Sequence, residues 1–224
     1  MTIIDPPIHQ PRAEAEGAQR FLFRDVDWAF YEDVGEKLAD RRAFVTYYKG
    51  RLEVVTVSLL HERIVGLLTH LVRMLAEETD TPIGGAGMAT LQRVDLDEGA
   101  EPDSSFYTAH EGQMRGKEKI DLTVDPPPDL AIEVEVTRRL GQRKSIYQDF
   151  GVPEVWVYGA GGLTILVRES GRYISADRSP TFPLLSPQEL SGFVSTGLVQ
   201  DETAWAKAFR RRVREAMGTP PPTT

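Results

Sequence analysis

The sequence predicts an α/β fold, a mixed β-sheet flanked by helices in one domain, and three observations carry that reading. Short strand-like runs and helical patterns alternate irregularly along the chain, which suits neither an all-helical nor an all-strand domain. His61 to Glu78 keeps apolar residues at helical spacing, whereas Asp129 to Val136 alternates with the period of a strand. At 224 residues, with 41% hydrophobic and 27% charged side chains, the chain has globular composition and enough apolar material for one sizeable core.

The elements follow in order. The first twenty residues, rich in Pro, Gln, Ala and Glu without periodicity, read as a mobile leader. Ala43 to Tyr48 and Leu52 to Val57, parted by Lys49-Gly50, read as a β-hairpin. In the long helix Ile64, Val65, Leu67, Leu68, Leu71, Val72 and Leu75 form the apolar stripe. Gly84-Gly85-Ala86-Gly87 lacks the Gly-Lys-Ser/Thr of a phosphate loop and reads as a tight connection. Short strands are expected around Ala89 to Val94 and Ser104 to Thr108, and the breaker Pro126-Pro127-Pro128 precedes the strand Asp129 to Val136.

A helix over Gln142 to Phe150 leads through Gly151 and Pro153 into a strand, Glu154 to Tyr158. Leu163 to Val167 and Arg172 to Ser175 make a second hairpin. Ser186-Pro187-Gln188-Glu189 has the spacing of a capping box with proline at the first helical position. Glu202 to Met217 is a last, amphipathic helix, whose basic run Lys207 to Arg214 reads as a solvated face. The expected organisation is a leader over 1–20, a domain over 21–198, and a closing helix with a Pro-rich tail over 199–224.

Composition removes several function classes. There is no cysteine, so disulfides, thiol nucleophiles and thiolate metal sites are excluded, and a cytoplasmic location is expected. No run approaches the ~20 apolar residues of a membrane span, so no membrane partner is expected. The four histidines, at 9, 61, 70 and 110, never stand at i,i+4, which leaves zinc chemistry little to use. A net charge of −8 repels nucleic acid overall. DNA binding would therefore rest on a local basic patch or on bound cations.

Candidate chemistry gathers on the acidic strand. Leu130, Ile132, Val134 and Val136 share one face; Asp129, Ala131, Glu133 and Glu135 share the other. Glutamates two apart stand roughly 7 Å from each other along a strand, and would repel unless water or a cation lies between. Such a strand is either a solvent-facing or edge strand, or one wall of a cation site. Asp103, after Glu101-Pro102, opens another strand as a turn residue or as a third carboxylate. Mg²⁺ takes oxygen ligands and keeps waters, so Asp103, Glu133 and Glu135 would suffice if they converge.

Arg138, Arg139, Arg143 and Lys144 follow, either neutralising these acids or holding a phosphate. Arg143 shares a helical face with Tyr147 and Phe150, while Lys144 projects roughly 100° away. His61-Glu62 at the helix start reads as a capping and surface pair or as part of a site.

In this order these residues resemble the Uma-two family of endonucleases, members of the PD-(D/E)XK nuclease superfamily. The matching pieces are His61-Glu62, Glu101-Pro102-Asp103 before Phe106-Tyr107, and Pro128 to Thr137. The match continues in Ile146-Tyr147 and Gly151-Val152-Pro153-Glu154-Val155-Trp156, covering about residues 43 to 160. The resemblance implies a restriction-endonuclease-like core and a Mg²⁺- or Mn²⁺-dependent endonuclease acting on DNA.

It also implies roles. Asp103 takes the place of the superfamily's first aspartate and Glu133 that of its strand acid, with Val134 (through its carbonyl) and Glu135 as further metal ligands. The superfamily lysine two residues after the strand acid is here Glu135. In relatives a lysine on the next helix replaces it, and that position is Arg143, with Lys144 beside it. Arginine clamps phosphate but stays protonated and is no base.

If Arg143 fills that place, its head group should point toward Glu133, Tyr147 should pack inward and Lys144 should face solvent. Glu62 would orient the site from the helix. A homodimer is compatible with this reading. The alternatives are a catalytically inactive nuclease-like module that binds nucleic acid or a protein partner and, last, a two-carboxylate glycosidase, for which the aromatics are poorly placed.

Overall fold

The computed structural model describes residues 19–38, 43–56, 58–135 and 140–218. Its first half runs β1 (Arg20–Arg24), α1 (Trp28–Leu38), β2 (Ala43–Tyr48), β3 (Arg51–Thr56), α2 (Leu59–Glu78), β4 (Gly84–Gly85), β5 (Leu91–Arg93), β6 (Glu98–Ala100) and β7 (Ser104–Tyr107). The second half adds α3 (Glu111–Met114), β8 (Leu130–Val134), α4 (Arg143–Phe150), β9 (Glu154–Gly159) and β10 (Gly162–Glu169). β11 (Arg172–Ala176), α5 (Pro187–Gly197) and α6 (Glu202–Ala216) follow.

The α/β class holds, but the strands divide into two sheets where a single one was expected. One is antiparallel throughout, in the order β1-β3-β2-β6-β5. Its β2–β3 hairpin turns on Lys49 (φ 45°) and Gly50 (φ 82°), the left-handed pair that a two-residue hairpin turn requires. The other is the mixed sheet, ordered β11-β10-β9-β8-β7-β4, with β8 parallel to β9 and the remaining pairs antiparallel.

The acidic strand is not an edge or solvent-facing strand. β8 lies between β7 and β9 with every residue buried. Leu130, Ile132 and Val134 pack against α2, α5 and α6 through residues such as Leu68, Leu71, Val194 and Phe209. Ala131 faces the other way, onto Ile146, Tyr147 and Phe150 of α4. Parallel pairing brings helices over both faces, so a strand read as half-polar is buried on each side.

The terminal helix is amphipathic as expected, but its basic run corrects a second expectation. Trp205, Phe209 and Val213 of α6 join the core beneath α2. Arg210 and Arg214 reach Glu77 and Glu78 of α2, and Arg212 reaches Glu189 of α5. Only part of the basic run is therefore solvated; Lys207 and Arg211 remain exposed. The capping box forms in full, with Ser186 and Glu189 each bonding the other's backbone N–H. β1 begins at Arg20, the last residue of the stretch read as a leader. The rest of that stretch to residue 18, and Val136, Thr137, Arg138 and Arg139, lie outside the described residues.

Candidate active site

Glu133 leaves β8 on the α4 side, one strand period from Ala131, and is fully buried. Arg143, the first residue of α4, brings Nη1 to 2.9 Å from Glu133 Oε2. One turn on, the Tyr147 hydroxyl donates to Oε1 of the same carboxylate. Arg143, Tyr147 and Phe150 form the buried stripe of the helix, and Lys144 is exposed. Helical spacing admits one of the two neighbouring cations, and it admits Arg143.

Asp103 stands just before β7, against the same strand. Its N–H donates to the Ile132 carbonyl at 3.1 Å, and its Oδ2 accepts from the Val134 N–H at 2.7 Å. His61 Nε2 lies 3.2 Å from that oxygen. His61 is fixed at the start of α2, where its backbone N–H is capped by Ser58 Oγ, and its ring meets Phe44 edge-on. The side chain is wholly buried, so the reading of a surface pair fails for His61 and holds for exposed Glu62, whose Oε1 stands 3.6 Å from His61 Nδ1.

Glu101 Oε2 accepts from the Val45 N–H and Oε1 from Thr90 Oγ1. Glu62 and Glu101, with Phe44 and Tyr31, border a cavity of about 620 Å³ beside this corner. Burial, reinforced by Glu101 and Glu32, pushes the Tyr31 hydroxyl well above its ordinary pKa.

The expected convergence of three carboxylates is not found. Glu135 is engaged elsewhere, its Oε1 accepting from the Leu140 N–H at 2.6 Å. The Glu135 N–H still bonds the Tyr158 carbonyl next to β8, and its carboxylate is taken up there, beside Gly159 and the Leu140 N–H. Among the described residues no three His, Cys, Asp or Glu side chains gather where they could hold a metal ion. Asp103 and Glu133 still fit a hard divalent cation as donors, since Mg²⁺ is usually held by one or two carboxylates and waters. The fit is for two acids, and Glu133 now faces Arg143 and Tyr147.

Comparison with known proteins bears on the whole of this corner. Residues 28–197 match the family model Uma2, described as a putative restriction endonuclease. The chain belongs to the Uma2 family. The Uma2 match spans Glu62, Asp103, Glu133, Glu135, Arg143 and Lys144 alike. A crystal structure described as a putative nuclease belonging to DUF820, from Anabaena variabilis, is similar at 14% identity and a TM-score of 0.50. The likeness covers 67% of this chain and 90% of that one, and shows a shared nuclease-like fold. No curated protein matches the chain. Among the described residues no helix is long and apolar enough to cross a membrane.

Proposed function

We propose that this Uma2 chain is a nuclease that hydrolyses DNA phosphodiester bonds with Mg²⁺ or Mn²⁺ held by Asp103 and Glu133. One observation carries the reading: a fully buried carboxylate in a central strand faces a fully charged arginine on the next helix. Taking both charges out of water is a poor route to stability, and buried charges of this kind concentrate at functional sites.

When bound, the ion supplies Lewis-acid polarisation of a phosphate and a more acidic water. The chain's own residues hold and orient. The Val134 N–H and His61 fix Asp103, and Tyr147 fixes Glu133. Arg143 stays protonated and therefore offsets phosphate charge without acting as a base. Exposed Lys144 attracts the DNA backbone at longer range, where salt screens it. Glu62 steadies the corner from the cavity rim. Bound cations also reconcile DNA binding with a net charge of −8. The cytoplasm suits a chain without cysteine, and a homodimer is compatible with this reading.

The test is conversion of supercoiled plasmid to nicked circles in Mg²⁺ or Mn²⁺, reversed by chelation. A second reading, a non-catalytic nuclease-like module that binds nucleic acid or a protein partner, is favoured by one fact: Arg143 and Tyr147 already meet both Glu133 oxygens. Folded protein that retards DNA in either ion without nicking it would establish that reading instead.

A further inference from the structure

We infer that His61 is a positioning residue for Asp103, donating from Nε2 to orient that carboxylate toward the cation; this rests on the proposed metal-ligand role of Asp103. The imidazole is wholly buried, and Nε2 is 3.2 Å from Asp103 Oδ2. An ionised carboxylate only accepts, so in this contact Nε2 is the donor. Nδ1 has no hydrogen-bond partner and faces Glu62 Oε1 at 3.6 Å, too far for a hydrogen bond.

A ring kept only to fill space would not need a nitrogen there. Its backbone N–H is already capped by Ser58, and the Phe44 edge contact supplies packing that an apolar ring would also make. Oδ2 accepts from two directions, the Val134 N–H in the sheet and His61 from α2, which leaves the carboxylate little freedom to rotate. Groups that orient metal-binding carboxylates typically change metal affinity roughly 10–100-fold when removed.

The two amide substitutions separate donor from bulk. Glutamine can present its amide N–H near the place of Nε2, whereas asparagine presents one near the place of Nδ1. Mn²⁺ binding to the full chain is measured by titration calorimetry for wild type, His61→Gln and His61→Asn, with thermal unfolding confirming that each is folded. The inference predicts that His61→Gln binds Mn²⁺ close to wild type and that His61→Asn binds roughly 10–100-fold more weakly. Wild-type affinity in both variants overturns the positioning role while leaving the metal site standing. Equal weakening in both overturns it too, since the requirement would then be for the ring. A wild-type chain that binds no Mn²⁺ overturns the metal-ligand reading, and this inference with it.

Discussion

Arg143 Nη1 lies 2.9 Å from Glu133 Oε2, and the two side chains are 3% and 0% exposed. The pair joins the central strand of the mixed sheet to the helix that follows it. It decides which of two adjacent cations faces Glu133. Arg143 is directed inward because it shares the buried stripe with Tyr147 and Phe150, and Lys144 is left to solvent.

Breaking this pair from one side strands a charge in the core. Arg143→Met should lower unfolding free energy by about 3–5 kcal/mol. Adding Glu133→Leu should recover most of that loss, because the double variant leaves no uncompensated charge. Urea denaturation of wild type, single and double variants measures both.

The proposed function gives the two neighbours unequal weight. Arg143→Ala should abolish metal-dependent nicking in whatever fraction remains folded. Lys144→Ala should retain nicking and weaken DNA binding mainly at low to moderate salt, where an exposed cation still acts over the Debye length. Nicking and electrophoretic retardation across a salt series separate the two; the reverse pattern would give the inner role to Lys144.

Much of this corner was legible because its signals are local. The period of β8 put Glu133 opposite Ile132 and Val134, and the i,i+4 spacing put Arg143 with Tyr147. The end of a strand is not local. Alternation groups Glu135 with Glu133, yet the segment after β8 returns the Leu140 N–H to the Glu135 carboxylate.

His61 is ambiguous in sequence for a similar reason, since its partner Asp103 lies 42 residues away. The second sheet escaped because β6 is only Glu-Gly-Ala, without any periodic pattern, and exists through its pairing with β2 and β5. The basic run of α6 read as solvated because Glu77, Glu78 and Glu189 lie far off in sequence.

Acid should loosen the α2–α6 clamp. Hydrogen bonds from Arg214 and, after it, Arg210 hold the Glu78 carboxyl below its ordinary value of 4.5. A folded pKa lower than the unfolded one stabilises the protein above the unfolded value, and the benefit is lost as pH falls through the folded value. The melting-temperature gap between wild type and Glu78→Gln should therefore be widest at neutral pH. It should close as pH drops below the ordinary value; a gap independent of pH would contradict the ion-pair origin.

Tight packing predicts a contrast between two glycines. A Cβ on Gly99 would lie 2.5 Å from the Tyr31 hydroxyl oxygen and 2.8 Å from its ring, and Tyr31 is locked between Trp28 and Tyr47. Gly99→Ala should destabilise by about 1–3 kcal/mol through overpacking. A Cβ on Gly85 would meet chiefly the far end of Arg73, at 2.6 Å from Nη2, which can move aside. Thermal unfolding should show a clear drop for Gly99→Ala and a small one for Gly85→Ala.

The central claim is that Glu133 serves metal-dependent cleavage of DNA. Nicking of supercoiled plasmid in Mg²⁺ and in Mn²⁺, wild type beside Glu133→Gln, tests it most directly, with circular dichroism confirming that the variant is folded. The account predicts chelator-sensitive nicking by wild type and a loss of about 100-fold or more in the variant, in line with removing a key charge from an active site. Wild type inert in both ions, or a folded Glu133→Gln that nicks as well as wild type, would contradict it.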